Sequence, residues 1–310
     1  MTEIRVRDLR TFDPRDTAAY AAVRRAAVPA LLATAASVAY SCAYAHPDAR
    51  YRALVAEADG EVVGTAQVGI AHDSPEPGQG FLNVYVHPER CGLGAGSLLV
   101  RTAEEHLAAE GATALYSWVL DTPRDRAFAA RRGYRASRTA HFLRLDLARG
   151  GLPPLAEPPP GVELRSAADF RDDPRPLFAL DAETVADEPG DVTAQFTDYA
   201  HWLTETWRHP LLNHELTTVA VVDGEPAAFT LAHTDDASRY ASGMTGTARA
   251  HRGRGLAKLA KNASLHRARA AGFAEAFTGN DSENGPMAAI NQWFGYEIHD
   301  TEVRHVRSVD

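Results

Sequence analysis

The chain has 310 residues, of which 45% are hydrophobic and 24% charged, and its formal net charge is -9 at pH 7. This length and composition indicate a soluble globular protein with room for two domains, each able to bury its own core. The acidic balance argues against a nucleic-acid partner, because affinity for phosphate backbones depends on an excess of lysine and arginine.

Compartment and metal binding are also constrained by the sequence. No apolar run approaches the ~20 residues needed to cross a bilayer, and the N-terminus lacks the apolar core of a signal peptide. We therefore expect a cytoplasmic protein with no membrane partner. The two cysteines, Cys42 and Cys91, are too few for a metal cage, and the 13 histidines show no metal-ligand spacing, so we expect no bound metal.

The first half of the chain predicts an edge strand, a helix and a hairpin, and then a strand, a glycine-rich turn, a helix and a strand. Asp59-Gly60 is the predicted hairpin turn, because this dipeptide favours tight two-residue connections. The predicted strands are 4–9, 51–57, 62–70, 81–86 and 115–120, and the predicted helices are 13–32, broken near Pro29, and 97–109.

The second half predicts the same order of elements. It follows a stretch rich in proline and glycine, residues 148–161, which we expect to be an extended connector because proline lacks a backbone donor. The predicted strands are 162–165, 216–222, 227–232, 240–247 and 274–278, and the predicted helices are 175–186, 193–206 and 258–271.

Several glycines of the two halves repeat at a fixed spacing. Three glycines of the first half have counterparts 161 residues later, namely Gly92 and Gly253, Gly94 and Gly255, and Gly111 and Gly272. The pairs Gly133-Tyr134 and Gly295-Tyr296 are 162 residues apart, so one inserted residue separates the copies. We therefore predict two domains, residues 1–147 and 162–310, joined by the connector 148–161.

The most distinctive stretch is His-Arg-Gly-Arg-Gly-Leu-Ala at residues 251–257, between a predicted strand and a predicted helix. Glycines there leave backbone N–H groups open to an anion at the positive end of the helix dipole. Arg252 and Arg254 add positive charge suited to phosphate oxygens. A basic turn with nothing bound is the alternative interpretation.

The spacing Arg252-x-x-Gly255-x-Ala257 resembles the [Gln/Arg]-x-x-Gly-x-[Gly/Ala] signature of the GCN5-related N-acetyltransferases, in which this turn holds the pyrophosphate of acetyl-CoA. The resemblance covers nearly the whole chain as a tandem pair, similar to mycothiol synthase-like and antibiotic-modifying actinobacterial members. It implies an α/β fold, with a mixed α+β sheet, in two tandem acetyltransferase-type domains.

The resemblance also implies an activity. An acetyl group would pass from acetyl-CoA, as cosubstrate, to the amine of a small molecule by direct attack in a ternary complex. A homodimer is compatible with this expectation. The residues implied in coenzyme binding are Met244, Thr245, Thr247, Arg252, Gly253, Arg254, Gly255, Leu256, Ala257 and Asn284.

The two copies differ at the positions that the family uses. Cys91 stands where the second copy has Arg252, and Thr122 and Ala129 stand where it has Asn284 and Asn291. We therefore expect the C-terminal domain to be catalytic. The degenerate N-terminal domain would be structural, regulatory or part of the acceptor site.

The acid and base are less sharply indicated. Asn291 occupies the position of the family's tyrosine, which protonates the departing thiolate. An asparagine can hydrogen-bond the sulfur of the coenzyme but cannot act as an acid at neutral pH. An asparagine that caps a helix or bridges helix to sheet is the alternative. His233, Asp235 and Glu283 are candidates for relaying the proton of the amine, and Asp236 and His251 are further ones. The acidic stretch 187–191 is a candidate contact for a cationic amine. Each of these is also explained as a solvated loop residue.

Two rival functions remain at this point. A catalytically silent acyl-CoA-binding protein would retain the glycine turn and lose the tyrosine. A dinucleotide-binding oxidoreductase fits poorly, because the turn is not G-x-G-x-x-G and no acid for the ribose follows.

Overall fold

The computed structural model describes residues 3–188, 198–235 and 237–309. It divides into two compact units, one made of Met1–Ala140 with Asp300–Asp310 and the other of His141–His299. These units differ from the predicted halves in their last strands. The last strand of the first half, Arg135–Asp146, begins in the first unit and ends in the second. The last strand of the second half, Glu297–Ser308, begins in the second unit and ends in the first. The two units therefore exchange strand ends relative to the sequence repeat.

The first unit is a mixed sheet with helices packed against it. Its strands lie in the order β1-β2-β3-β4-β5-β12, and every neighbouring pair is antiparallel except β4 and β5. Its elements are β1 (Ile4–Asp8), α1 (Pro14–Ala27), α2 (Ala35–Ala43), β2 (Arg52–Ala58), β3 (Glu61–Ile70), β4 (Gln79–Val86), α3 (Ala95–Ala109), β5 (Ala114–Leu120), α4 (Pro123–Ala130) and the start of β6 (Arg135–Asp146).

The second unit repeats this plan. Its strands lie in the order β6-β11-β10-β9-β8-β7, with β10 and β11 parallel. Its elements are β7 (Val162–Ser166), α5 (Arg175–Val185), α6 (Tyr199–Trp202) continued by a π-helical turn (Leu203–Trp207), β8 (Thr218–Val222), β9 (Glu225–Thr234), β10 (Arg239–Thr247), α7 (Leu256–Ala270), β11 (Glu275–Asp281), α8 (Gly285–Phe294) and the start of β12 (Glu297–Ser308).

The helix that follows each glycine turn is held on its sheet by one apolar face. In α3, Leu99, Ala103 and Leu107 are fully buried against the strands of the first unit. In α7, Leu256 and Leu259 pack against β8 and β9, as their helical spacing predicts. This packing fixes the N-terminus of each helix at the end of the strand before it.

The predicted connector, residues 148–161, forms no helix or strand in the structure. It is held against α7 by side chains of that helix. Asn262 accepts a hydrogen bond from the backbone of Ala156 at 2.8 Å and donates to the carbonyl of Pro154. His266 contacts the carbonyl of Pro153 at 2.8 Å.

Two local differences from the sequence-based expectations have simple causes. Helix α2 is not predicted by apolar periodicity, and a capping box between Thr34 and Ser37 starts it. The predicted helix 193–206 begins outside the described residues, and its described part is α6 and the turn that follows. In the described part of the chain, no helix has both the length and the apolar character needed to span a membrane.

Candidate active site

Each unit contains a fork between two parallel strands. β10 pairs with β11 only from Arg239↔Glu275 to Ser242↔Thr278, and β4 pairs with β5 only from Gln79↔Ala114 to Phe81↔Tyr116. Beyond these pairs the strands separate towards their C-terminal ends. Ligands of α/β sheets bind at such carboxyl ends, because the backbone groups there are not all used by a neighbouring strand.

A glycine turn lies next to each fork. Gly94 and Gly255 are the residues before α3 and α7, and both are left-handed, with φ of 101° and 73°. A Cβ atom added at either position would meet nothing within 4 Å, so the space above the turn is open. In the described chain neither helix has a side-chain cap, so its first N–H groups are free to bind an anion.

Arginines surround the second turn, as the sequence indicates, but they already have partners. Arg252 pairs with Asp187 through Nη2 and donates from Nε to the carbonyl of Thr247 at 3.3 Å. Arg249 pairs with the same carboxylate at 2.6 Å. Hydrogen bonds from Arg249 and Arg252 lower the pKa of Asp187 to about 2. A bound diphosphate would therefore compete with an ionised carboxylate for Arg252.

Arg254 lies on the same turn and points to a different neighbour. Its Nη1 is 2.8 Å from Nδ1 of His251. Leu256 begins α7 and its side chain is buried in the core, so only its backbone faces the turn. The predicted acidic stretch 187–191 is described only at Asp187 and Glu188, and its remainder lies outside the described residues, as does Asp236.

A β-bulge interrupts β10 beside the fork. Ser242 pairs with Ala232, whereas Thr245 pairs with Thr230, so β10 carries one residue more than β9 over this stretch. The extra residue takes the backbone of Gly243 and Met244 out of the regular ladder. Thr245 is fixed beyond the bulge by a side-chain hydrogen bond of 2.8 Å to Thr230.

The imidazole of His233 lies against this bulge. A Cβ atom at Gly243 would be 2.8 Å from Cε1 of His233, so the ring occupies the space that the glycine leaves. Burial, with a smaller effect of nearby His209, lowers the pKa of His233 to about 4. His233 is therefore neutral at pH 7 and can accept a proton.

The other predicted bases are placed differently. Asp235 forms a 2.7 Å ion pair with Arg239 and accepts the backbone N–H groups of Ala237 and Arg239. Burial raises its pKa, but these hydrogen bonds outweigh burial and lower it overall. The side chain of Glu283 is exposed. Among the predicted bases that the structure describes, only His233 is placed at the bulge by its contacts.

The two predicted asparagines both lie on α8. Asn284 is its N-cap, and its side chain accepts the backbone N–H of Met287 at 3.2 Å. Asn291 is fully buried and accepts a 2.7 Å hydrogen bond from Nζ of Lys261. Burial lowers the pKa of Lys261 to about 7. Nothing in the sequence pattern singles out this lysine, which stands within the helical repeat of α7.

The first unit holds a cleft of about 370 Å³ at its fork. Apolar residues of β4, α3 and α4 line it, together with Arg90, Arg124 and Arg132. The ladder between β3 and β4 runs from Gly64↔Val86 to Ile70↔Gly80 without a register shift. The first unit thus has an open fork and a glycine turn but an unbroken strand where β10 has its bulge.

A buried acid that the sequence analysis did not select lies on α5. Oδ2 of Asp181 accepts a 2.7 Å hydrogen bond from the indole of Trp202, and burial raises the pKa of Asp181 to about 6 despite that bond. The neighbouring Thr184 packs against Gly246 of β10. An isolated aspartate in a helical pattern gives no signal of such burial, so the sequence could not have identified it.

The sequence profile of the Acetyltransferase (GNAT) family matches residues 21–134 and 176–296, one region in each unit. The chain belongs to this family. It is an N-acetyltransferase, in a family whose acyl donor is acetyl-CoA. The predicted resemblance, the α/β fold class with tandem acetyltransferase-type domains and the enzymatic activity are therefore confirmed.

Similar proteins agree with this placement. The mycothiol acetyltransferase of Nocardia farcinica is 34% identical over 246 residues, which are 78% of this chain and 77% of that protein. The mycothiol acetyltransferase of a Nocardioides species is 29% identical over 241 residues, which are 73% and 79% of the two chains.

Solved structures show the same fold at lower identity. A tandem GNAT protein from the clavulanic acid biosynthesis pathway has a TM-score of 0.72 and 23% identity, with 99% of this chain and 98% of the other covered. A GCN5-related N-acetyltransferase from Sphaerobacter thermophilus has a TM-score of 0.71 and 22% identity, with 98% and 95% covered. At this identity the likeness supports the fold alone.

Proposed function

We propose that this acetyltransferase moves an acetyl group from acetyl-CoA to the amine of a small molecule by direct attack in a ternary complex, and that the second unit does the chemistry. The observation that carries the proposal is the bulge in β10. It places, beside one fork, a distorted strand and the neutral imidazole of His233. The first unit has a regular ladder at the corresponding strand.

The donor would be held by the turn before α7. Backbone N–H groups from Gly253 to Ala257 suit a diphosphate, because the space above the turn is open. The guanidinium groups of Arg252 and Arg254 would leave Asp187 and His251 to bind it. Asn284 stands at the N-cap of α8, where the resemblance assigns the pantetheine arm. Met244, Thr245 and Thr247 supply the β10 edge of the same fork.

The chemistry needs few groups. The amine nitrogen attacks the thioester carbonyl carbon, and the oxygen that gains negative charge requires N–H donors. The backbone N–H groups of Gly243 and Met244 would supply them, since the bulge takes these two residues out of the ladder. His233 takes the proton that the amine loses, because it is neutral over the working range of pH.

The acceptor class follows from the relatives and from the neighbourhood of the bulge. The curated relatives are mycothiol acetyltransferases, which supports a small amine as acceptor. The aromatic cluster of α5 and α6 packs against the face of β9 that carries His233. A homodimer, a cytoplasmic location and the absence of a nucleic-acid partner stay predictions from the sequence.

A second role is supported for the first unit. Its cleft of about 370 Å³ and its uncapped α3 suit binding of an acyl-CoA, whereas the unbroken β4 provides no bulge for an oxyanion. The first unit would therefore bind the coenzyme without turning it over. This extends the sequence-based expectation of a degenerate first domain.

The test is turnover by the full-length chain. Release of CoA thiol from acetyl-CoA is measured over a panel of small amines that includes the acceptor of the mycothiol acetyltransferases. The wild type is compared with three variants, His233→Gln, Arg252→Ala and Arg269→Ala. The last of these is a charge control at the exposed end of α7. Turnover that falls in the first two variants and not in the third supports the proposal. Equal turnover in the wild type and all three variants would show that the turn before α7 and His233 do not carry the reaction.

A further inference from the structure

An exposed tryptophan and a lysine contact each other between α7 and α8 of the second unit. Nζ of Lys258, in the first turn of α7, lies 3.4 Å from the ring centre of Trp293 on α8. Of the four tryptophans, all of which the structure describes, only Trp293 has an exposed side chain, at 43%. Tryptophan is highly buried on average, so this indole offers a large apolar surface to a planar group from outside the chain.

The indole is held in place by its neighbours. Phe294 is 1% exposed, and its ring meets that of Trp293 edge-to-face, with the ring centres 4.8 Å apart. The ammonium group of Lys258 packs on the same indole. Because these contacts already orient the ring, a ligand that stacks on it loses little affinity to ordering the side chain.

The charge at the start of α7 favours an anion. The N-terminus of a helix is positive, so acidic residues stabilise its first turn and cations destabilise it. The described helix α7 has no acidic residue in its first turn, and Lys258 stands there, three residues after Gly255. Its ammonium group contacts an indole rather than a carboxylate. An anionic group that arrives beside the diphosphate would balance this charge.

Two observations place this pair beside the proposed diphosphate site. An α-helix rises about 1.5 Å per residue, so Lys258 lies about 4.5 Å along the axis of α7 beyond Gly255. In the sequence repeat, Ser97 is the counterpart of Lys258 and Arg131 that of Trp293, and both of these residues line the cleft of the first unit. The pair therefore occupies positions that face a ligand-sized cleft in the other copy of the fold.

We propose that Trp293 and Lys258 form a nucleotide subsite for the donor, in which the indole stacks on the adenine of acetyl-CoA and the ammonium group pairs with the 3′-phosphate of its ribose. This inference rests on the proposed function, in which the turn before α7 holds the diphosphate. Ser97 and Arg131 offer neither an indole nor an ammonium group, so the subsite belongs to the second unit.

The chemistry of the coenzyme matches the two side chains. A single ribose joins the diphosphate to the adenine, and the same ribose carries the 3′-phosphate. A planar base and a second anion therefore arrive together, next to the diphosphate. Bases stack on aromatic side chains because every base has a π-face, and a phosphate forms charge-assisted hydrogen bonds with an ammonium group. The subsite would thus recognise the nucleotide end of the donor and have no part in the transfer of the acetyl group.

The experiment measures the two contacts separately on the full-length chain. Etheno-CoA, whose modified adenine fluoresces, reports the stacking, because an indole in contact with the base quenches its emission. Dephospho-CoA, which lacks the 3′-phosphate, reports the ammonium group through the ratio of its Kd to the Kd of CoA in calorimetry. The relevant site is the one whose Kd for CoA is raised by Arg252→Ala.

The wild type should quench etheno-CoA and bind CoA about fivefold more tightly than dephospho-CoA, since an exposed charge pair adds a modest gain. Trp293→Leu should abolish the quenching and raise both Kd values at least fivefold without changing their ratio. Lys258→Met should keep the quenching and bring the ratio to one, and Lys258→Arg should keep the ratio. Leu155→Ala is the matched control, because Leu155 is another exposed apolar side chain of the second unit.

A purely structural contact between α7 and α8 gives a different result. In that case Trp293→Leu and Lys258→Met would lower the melting temperature and leave both the quenching and the Kd ratio at their wild-type values, which would overturn the inference. Equal Kd values for CoA and dephospho-CoA in the wild type, at a site that Arg252→Ala weakens, would also overturn it and leave the proposed function standing. If Arg252→Ala changes no Kd, the proposed diphosphate site is wrong and the inference fails with it.

Discussion

The ion pair between Arg252 and Asp187 makes a quantitative prediction about coenzyme affinity. Replacing Arg252 by alanine removes one charge-assisted contact to the diphosphate, and such contacts are worth roughly 1.5–3 kcal/mol. The Arg252 side chain is 48% exposed, and its guanidinium must leave Asp187 before it binds phosphate, so both solvent and competition reduce the net gain. We therefore expect a loss of about 1–1.5 kcal/mol, or roughly five- to tenfold in Kd.

Asp187 provides the opposite perturbation. Its pKa of about 2 keeps it ionised at any pH of assay, so it competes with phosphate throughout. Asp187→Asn should lower the Kd for acetyl-CoA at the site whose Kd Arg252→Ala raises, because Arg252 then no longer pairs with a carboxylate. Isothermal titration at about 0.05 and 0.5 M salt measures both effects, and each should shrink at high salt because the charges are exposed.

The control for this pair of variants is Arg269→Ala, which removes an exposed charge at the far end of α7. This variant should leave the Kd for acetyl-CoA unchanged. An Arg252→Ala protein with wild-type affinity, or an Asp187→Asn protein that binds acetyl-CoA more weakly, would show that the turn before α7 does not hold the diphosphate.

Two further predictions concern titrating groups. His233→Ala should lower kcat at least 100-fold. Once kcat/KM is corrected for the fraction of the amine that is neutral, the acidic limb of the wild-type profile should lie near pH 4, because burial lowers the pKa of His233 to about 4 and it is protonated only below that value. Burial raises the pKa of Glu302 to about 7, partly offset by Arg304, so the folded state holds a proton that the unfolded state releases near pH 4.5. Wild type should therefore lose roughly 3 kcal/mol of unfolding free energy between pH 4.5 and pH 7 relative to Glu302→Gln. Urea titrations measure this difference, and exposed Glu157→Gln should follow wild type.

The sequence predicted the parts of the site that depend on local chain geometry. Gly94 and Gly255 adopt left-handed φ angles at the start of their helices. The glycines and arginines around Gly255 led to the prediction of an anion site, which stays a prediction. The strands of the hairpins and the apolar faces of α3 and α7 follow from periodicity alone. These features can be predicted without knowing which helices and strands pack against one another.

The features that the sequence could not predict join residues far apart in the chain. Arg252 and Asp187 are 65 residues apart, and Lys261 and Asn291 are 30 apart. The bulge in β10 is a difference of register between two strands, and alternation within one strand does not specify it. The exchange of strand ends between the units has the same origin, since β12 pairs with β5, which comes from the other half of the sequence.

The difference between the glycine turns of the two units leads to a final prediction, that the first unit can be made to bind acetyl-CoA more tightly without transferring the acetyl group. Cys91 stands in the first unit where the second has Arg252, so Cys91→Arg would add the missing cation to a turn that already has open amides. We expect the first-unit affinity for acetyl-CoA to rise about tenfold, the gain from one charge-assisted contact. Turnover should nevertheless stay at the background level when Cys91→Arg is combined with His233→Ala, because β4 pairs with β3 without the bulge that we propose to supply the oxyanion donors in β10. Calorimetry and thiol release on the same double variant measure the two quantities. A double variant that regains acetyl transfer would show that the bulge in β10 is not what separates the two units.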